Sequence, residues 1–154
     1  NIGSHLIQES FEDLNAFNHE ETVSKTKVKV FDLLKKTIRP EFLNRIDEII
    51  MFQPLTREEV KQIVRIQFQS LQNLLKQNEM KITASEEAIE WLSQLGFDPQ
   101  FGARPLKRVI QKKVLNELSK QILAGNITKD ADIELKLNSK NEFEFVNIQK
   151  SVEV

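Results

Sequence analysis

The sequence predicts an α/β fold of the α+β kind, in which helices lead and a small sheet is added late. Three observations carry that expectation. Apolar residues recur at helical spacing from Val60 to Leu75 and again from Leu106 to Ile122. Near the end, Ile133, Leu135 and Leu137 alternate with Asp132, Glu134 and Lys136, and Phe143 and Phe145 alternate with Glu142 and Glu144. Pro54 separates a mostly helical first part from the rest, giving domains at about residues 1–54 and 55–154.

The elements follow in order. Ser4 can cap a short amphipathic helix carrying Leu6, Ile7, Phe11 and Leu14. Residues 15–26 are polar and predict a loop. A second helix runs through Val30, Phe31, Leu34 and Ile38 until Pro40 breaks it. Residues 47–52, with the run Ile49-Ile50-Met51-Phe52, predict a buried strand that Pro54 ends. Thr56-Arg57-Glu58-Glu59 has the form of a capping box: the threonine caps the next helix and Glu59 reaches back to the threonine amide. Residues 81–83 predict a short strand. Ser85 then caps a helix holding Ala88, Ile89, Trp91, Leu92 and Leu95, with Gly96 as its terminating cap. Residues 96–102 form a loop, and Pro105 suits the first turn of a regular helix that Gly125 stops. The two alternating runs, with residues 138–141 between them, predict a hairpin with one buried face.

Composition narrows the function classes. With 154 residues the chain can bury a core, and its formal net charge of −1 exerts no general pull on nucleic acid or membrane. There are no cysteines, so disulfides and thiolate metal sites are excluded. No apolar run approaches the roughly 20 residues that a membrane helix needs. His5 and His19 lack the spacing and the neighbouring carboxylates of a metal site. No Ser-His-Asp set can be assembled on geometric grounds.

Two arginines stand out. Arg45 follows a short helical turn, where a guanidinium can project from a rim toward a neighbour and stabilise a transferring phosphoryl group; a surface ion pair with Glu41 or Asp47 explains the same spacing. Arg104 opens a helix whose start favours anions, so it can meet a phosphate or stand as an ordinary exposed arginine. Lys107, Arg108, Lys112 and Lys113 extend the basic stretch, which reads as a solvated face because no aromatic residue interleaves to stack bases. No G-x-x-x-x-G-K-[ST] loop is present, and Gly3, Gly96, Gly102 and Gly125 are too scattered to cradle phosphates. The pattern looks like the accessory arginines of an ATP site without the site itself. We therefore expect the C-terminal piece of a larger nucleotide-driven machine, a view that the opening at Asn1 rather than at a methionine fits.

Four blocks carry a family resemblance: Asn1-Ile2-Gly3-Ser4, Arg39-Pro40-Glu41-Phe42-Leu43-Asn44-Arg45-Ile46-Asp47-Glu48, Pro54-Leu55-Thr56, and the stretch from Gly96-Phe97-Asp98-Pro99 to Gly102-Ala103-Arg104-Pro105-Leu106-Lys107-Arg108. In this order and spacing the chain, from Asn1 to about Leu137, resembles the second AAA+ module of the disaggregating Clp ATPases. The resemblance implies that residues 1–54 end an AAA+ large subdomain and that 55–154 form its small, or lid, subdomain. It implies Arg45 as an arginine finger acting in trans, Arg104 as the sensor-2 arginine, and Asn1 as the sensor-1 asparagine. Leu55 and Ile63 match positions that pack on adenine, with Ala103 beside them; plain core packing explains Leu55 and Ile63 equally well.

The implied whole protein is a cytoplasmic homohexameric ATPase using ATP and Mg. It extracts aggregated or unfolded polypeptide with an Hsp70-type co-chaperone. The phosphate loop and the acidic magnesium-binding strand of the family are not encoded here, so no ATPase activity is expected of this chain alone. Two alternatives remain. One is a peptidase-feeding unfoldase of the same family, whose docking tripeptide [LIV]-G-[FL] would need a glycine between Ser4 and Arg39, where there is none. Leu95-Gly96-Phe97 fits its letters, but at a helix end, so no peptidase docking is expected. The other is a self-standing interaction or nucleic-acid-binding module using the basic helix at 104–120.

Overall fold

The structure, a computed structural model, describes residues 2–11 and 19–148. The chain divides into two compact units, Asn1–Pro54 and Leu55–Val154.

The first unit is helical. Its elements are α1 (Ser4–Phe11), α2 (His19–Thr37) and the single turn α3 (Pro40–Leu43). Helix α2 begins within the stretch whose polarity predicted a loop at 15–26, so that expectation is corrected for residues 19–26. Glu20 and Glu21 occupy its first turn and Lys35 and Lys36 its last, which complements the helix dipole. Lys25 pairs with Glu21 at 2.6 Å one turn apart, and Thr26 is buried together with Val30. Leu14 and residues 15–18 lie outside the described residues. An open apolar groove of about 960 Å³ runs between α2 and residues 40–51, with Val28, Phe31, Leu34, Leu43, Ile46 and Met51 among its walls.

The strand predicted at 47–52 is not formed. Among the described residues of this unit none is in a strand, so the segment has no neighbour to satisfy its amides and carbonyls and stays as irregular extended chain. Its apolar side chains are not buried either, with Ile50 66% and Phe52 82% exposed.

The second unit packs helices on one face of a three-stranded sheet. Its elements are α4 (Arg57–Lys76), β1 (Lys81–Ala84), α5 (Glu86–Gly96), α6 (Leu106–Ile110), a π-helical turn (Gln111–Leu115), α7 (Asn116–Leu123), β2 (Asp132–Leu137) and β3 (Phe143–Asn147). The capping box forms as expected: Thr56 Oγ1 accepts from the Glu59 amide at 3.2 Å, and the Thr56 amide donates to Glu59 Oε2 at 2.7 Å. Ser85 Oγ accepts from the Ala88 amide and starts α5. Strand β1 pairs in parallel with β2, placing Ile82 opposite Ile133. The hairpin of β2 and β3 places Leu135 opposite Phe145. Asn138 Oδ1 accepts from the amides of Lys140 and Glu142 and so shapes its turn. Val64, Phe68, Leu71 and Leu75 of α4 meet Ile89 and Leu92 of α5, and Ile133 and Leu135 of the sheet, in one continuous core.

Two expectations about the helices change. Gly96 does end α5, but not by adopting the left-handed conformation of a glycine cap. A Cβ there would stand 2.4 Å from Leu106 Cδ1 and 2.9 Å from Leu106 Cα, so glycine is required by the close crossing of the next helix. The helix expected to run regularly from Pro105 to Gly125 contains instead the π turn, closed by the Asn116 amide bonding to the Gln111 carbonyl. Its cause lies in the core pattern. Leu106, Ile110, Val114 and Leu118 are all buried and fall at intervals of four. In an α-helix each such step overshoots a full turn by about 40°, so the apolar face would drift away from the core. One wide turn absorbs the excess and keeps all four side chains inside.

Candidate functional site

The loop between α5 and α6 is a rigid miniature. Asp98 and Gly102 exchange backbone hydrogen bonds at 2.9 and 2.6 Å. The Asp98 carboxylate accepts from the amides of Gln100 and Phe101 at 2.8 and 2.9 Å. Gly102 holds φ at +63°, a conformation that strains any side chain, and a Cβ there would find only Leu55 Cδ1, at 4.0 Å. The structure therefore brings Leu55 beside the loop that carries Ala103 and Arg104. Leu55 is 37% exposed and Ala103 half-buried.

Next to Leu55 lies a cleft of about 360 Å³, bounded by Leu55, Arg57, Val60, Ser93, Gln94 and Phe97. It forms where the start of α4 meets the end of α5. Sequence reasoning missed Arg57, Ser93, Gln94 and Phe97 as its walls, because helical spacing shows which face of each helix is buried but not which two ends adjoin. Ile63 does not bound this cleft; it is half-buried and packs against the core.

Charge is arranged unevenly. Along α4, Arg57 and Lys61 converge on Glu90 of α5: Arg57 Nε donates to Glu90 Oε1 at 2.7 Å, and Lys61 Nζ meets Oε2 at 2.6 Å. Lys61 first and Arg57 second hold the Glu90 carboxyl down from 4.5 to about 2. Arg65 pairs with Glu86 at 2.7 Å. By contrast Arg104, Lys107, Arg108, Lys112 and Lys113 are exposed and make no ion pair among the described residues. Arg104, two residues after Gly102, is thus an exposed cation without an ion pair among the described residues.

Arg45 sits in the first unit on the turn that follows α3. Its amide bonds to the Phe42 carbonyl at 3.1 Å, and its side chain is exposed and pairs with neither Glu41 nor Asp47. Asn1 lies outside the described residues. In the second unit Leu55 presents exposed apolar surface and Arg104 an exposed cation. No three His, Asp or Glu come together among the described residues. No helix among the described residues is long and apolar enough to cross a membrane.

Residues 55–135 match the model of the C-terminal, D2-small domain of ClpB protein. Over 139 residues the chain is 47% identical to the probable chaperone protein ClpB 1 of Chlorobaculum tepidum, covering 90% of this chain and 32% of that protein. Over 133 residues it is 48% identical to the chaperone protein ClpB of Bacteroides thetaiotaomicron, covering 86% of this chain and 15% of that one. A solved Hsp104:casein complex from S. cerevisiae, in an extended conformation, superposes with a TM-score of 0.71 at 27% identity, over 94% of this chain and 24% of the Hsp104 chain. The chain thus spans about a third or less of the length of these relatives. It belongs to the ClpB family of AAA+ Clp ATPases, and its residues 55–135 are a D2-small domain of that family.

Proposed function

We propose that this chain acts within a ClpB-type disaggregase, as the end of the second AAA+ large subdomain (residues 1–54) joined to the lid (residues 55–154). The observation that carries the reading is the exposed Leu55 against the left-handed Gly102, two residues before Arg104, which makes no ion pair among the described residues, inside the segment that matches the family model. Leu55, Ala103 and Ile63 offer apolar surface to an adenine ring, Leu55 from beside the Gly102 loop and Ile63 from the edge of the core. Arg104 directs its fork of donors at the phosphates of the same subunit's ATP. Arg45 reaches the ATP of the adjacent subunit, where an arginine finger contributes about 10³–10⁵ in rate. Asn1 orients the attacking water.

The assembly in this proposal is a cytoplasmic homohexamer that threads aggregated or unfolded polypeptide with an Hsp70-type co-chaperone, and it docks on no peptidase. Magnesium, where bound, neutralises charge on the phosphates. Its ligands and the phosphate cradle come from residues other than those described here, so the chain alone has no ATPase activity.

Mixed rings test the proposal. In the intact ATPase, Arg45→Ala subunits are combined with subunits disabled in their own phosphate loop, and activity is followed against the mixing ratio. A trans-acting Arg45 makes mixed rings exceed both parent rings, because some interfaces then pair an intact site with an intact finger. Arg104→Ala in turn weakens the response of its own subunit among wild-type neighbours. Mixed rings that never rise above the parents, although subunits exchange, remove Arg45 from this role. ATP turnover by the chain alone that Arg104→Ala abolishes would overturn the assignment of an incomplete site.

A further inference from the structure

The loop from Gly96 to Leu106 is ordered beyond what the core requires of it. Its two ends are buried and meet, Gly96 lying so close to Leu106 that a Cβ would stand 2.9 Å from the Leu106 Cα. Between them, among the described residues, none from 97–105 joins the hydrophobic core. A loop that the core does not hold is ordinarily left mobile, since fixing its backbone costs conformational entropy. Here one side chain opposes that freedom. Asp98 Oδ1 accepts from the Gln100 and Phe101 amides at 2.8 and 2.9 Å, while the Asp98 backbone exchanges bonds with Gly102 at 2.9 and 2.6 Å. The bonding continues toward α6: the Phe101 carbonyl accepts from the Arg104 amide at 3.4 Å, and the Ala103 carbonyl from the Leu106 amide at 3.1 Å. Arg104 is therefore held between two fixed points, the Asp98 turn before it and the buried Leu106 after it.

We infer that Asp98 is a positioning residue for Arg104: its carboxylate shapes the turn that fixes where the guanidinium meets the phosphates of the same subunit's ATP. The inference rests on the proposal that Arg104 meets those phosphates. A long side chain can be aimed only from a backbone that keeps its place, and a shift of about 1 Å at a reacting centre costs up to about 100-fold in rate. Asp98 suits the task because an oxygen on a short side chain reaches the amides two and three residues on. Gly102 supplies the left-handed step at φ +63°, and the Asp98 backbone brackets it. Asp98 makes no ion pair among the described residues, so its oxygen serves the turn while Arg104 keeps its fork of donors for a ligand. What the turn needs is the acceptor atom, not the negative charge.

The test uses the intact, assembled ATPase. Asp98→Ala is expected to lower kcat/KM for ATP by roughly 10- to 100-fold, the range for a displaced charged group. Asp98→Asn, whose amide oxygen can accept the same two bonds, stays within about threefold of wild type. In an Arg104→Ala background, Asp98→Ala changes the rate by less than about twofold, because a residue that acts only through Arg104 has nothing left to position. A loss of fold would instead slow both backgrounds by the same factor, and that outcome overturns the inference. So does wild-type turnover by Asp98→Ala in a protein that Arg104→Ala slows, and so does an Asp98→Asn variant as slow as Asp98→Ala. An Arg104→Ala protein at the wild-type rate removes the phosphate role of Arg104 itself, and the inference falls with it.

Discussion

The two units of this chain handle their apolar residues in opposite ways. In Leu55–Val154, helices α4 to α7 close over one face of the sheet, and Val64, Leu92, Val114, Leu118, Ile133 and Leu135 are sealed from solvent in a single cluster. In Asn1–Pro54, Thr26 and Val30 are buried while Val28 (62%), Ile50 and Phe52 remain exposed beside an open apolar groove. The difference teaches where self-sufficiency lies. A closed core is a domain that can fold alone, whereas a unit with bare aliphatic walls has buried too little apolar surface to do so. The match to a small-domain model begins at the same boundary.

Excision tests the comparison most severely. Residues 55–148 alone should melt in one cooperative transition near that of the whole chain, and residues 1–54 alone should give none, as read by circular dichroism. A non-cooperative melt of 55–148 would break the comparison. Single truncations come next. Leu92→Ala should destabilise by about 2–5 kcal/mol in denaturant titration, because Leu92 is wholly buried. Val30→Ala should leave the main transition in place. Gly96→Ala should cost about 1–3 kcal/mol, since the new methyl meets the backbone of Leu106 and only a shift of α6 can admit it.

The smallest effect concerns acid. Glu90 titrates at about 2 in the folded protein against an ordinary 4.5, so its ion pairs contribute fully above pH 4.5 and fade as pH falls toward 2. Carboxyl titration by NMR checks this directly, and Lys61→Ala should move the Glu90 transition upward more than Arg57→Ala does.

Much of the second unit was legible in the sequence, because its signals are local or periodic. The Thr56 capping box, the Ser85 cap and the alternation from Ile133 to Leu137 each state a backbone geometry directly. The strand expected at 47–52 failed for a reason no local pattern contains: a strand exists only beside another, and hydrophobicity names neither the partner nor its presence. The start of α2 was missed because its polarity was read as a loop, when Glu20, Glu21 and Lys25 sit where a helix welcomes their charges. Of the candidate site, Arg104 and Arg45 announced themselves as cations at helix edges. The cleft beside Leu55 did not, since it is made by two chain ends brought together from α4 and α5.

The wide turn at Gln111–Leu115 has a consequence for how this helix can vary in length. Removing one residue between Ile110 and Val114 would place Leu106, Ile110, Val114 and Leu118 at intervals of four, three and four, the stripe of an ordinary α-helix. The same side chains would fill the same core, and the arginine end would remain pinned by Leu106 against Gly96. A single-residue gap in an aligned relative at this point therefore signals no change of fold. It marks the place where a helix in this family can lose or gain a residue and keep both its ends.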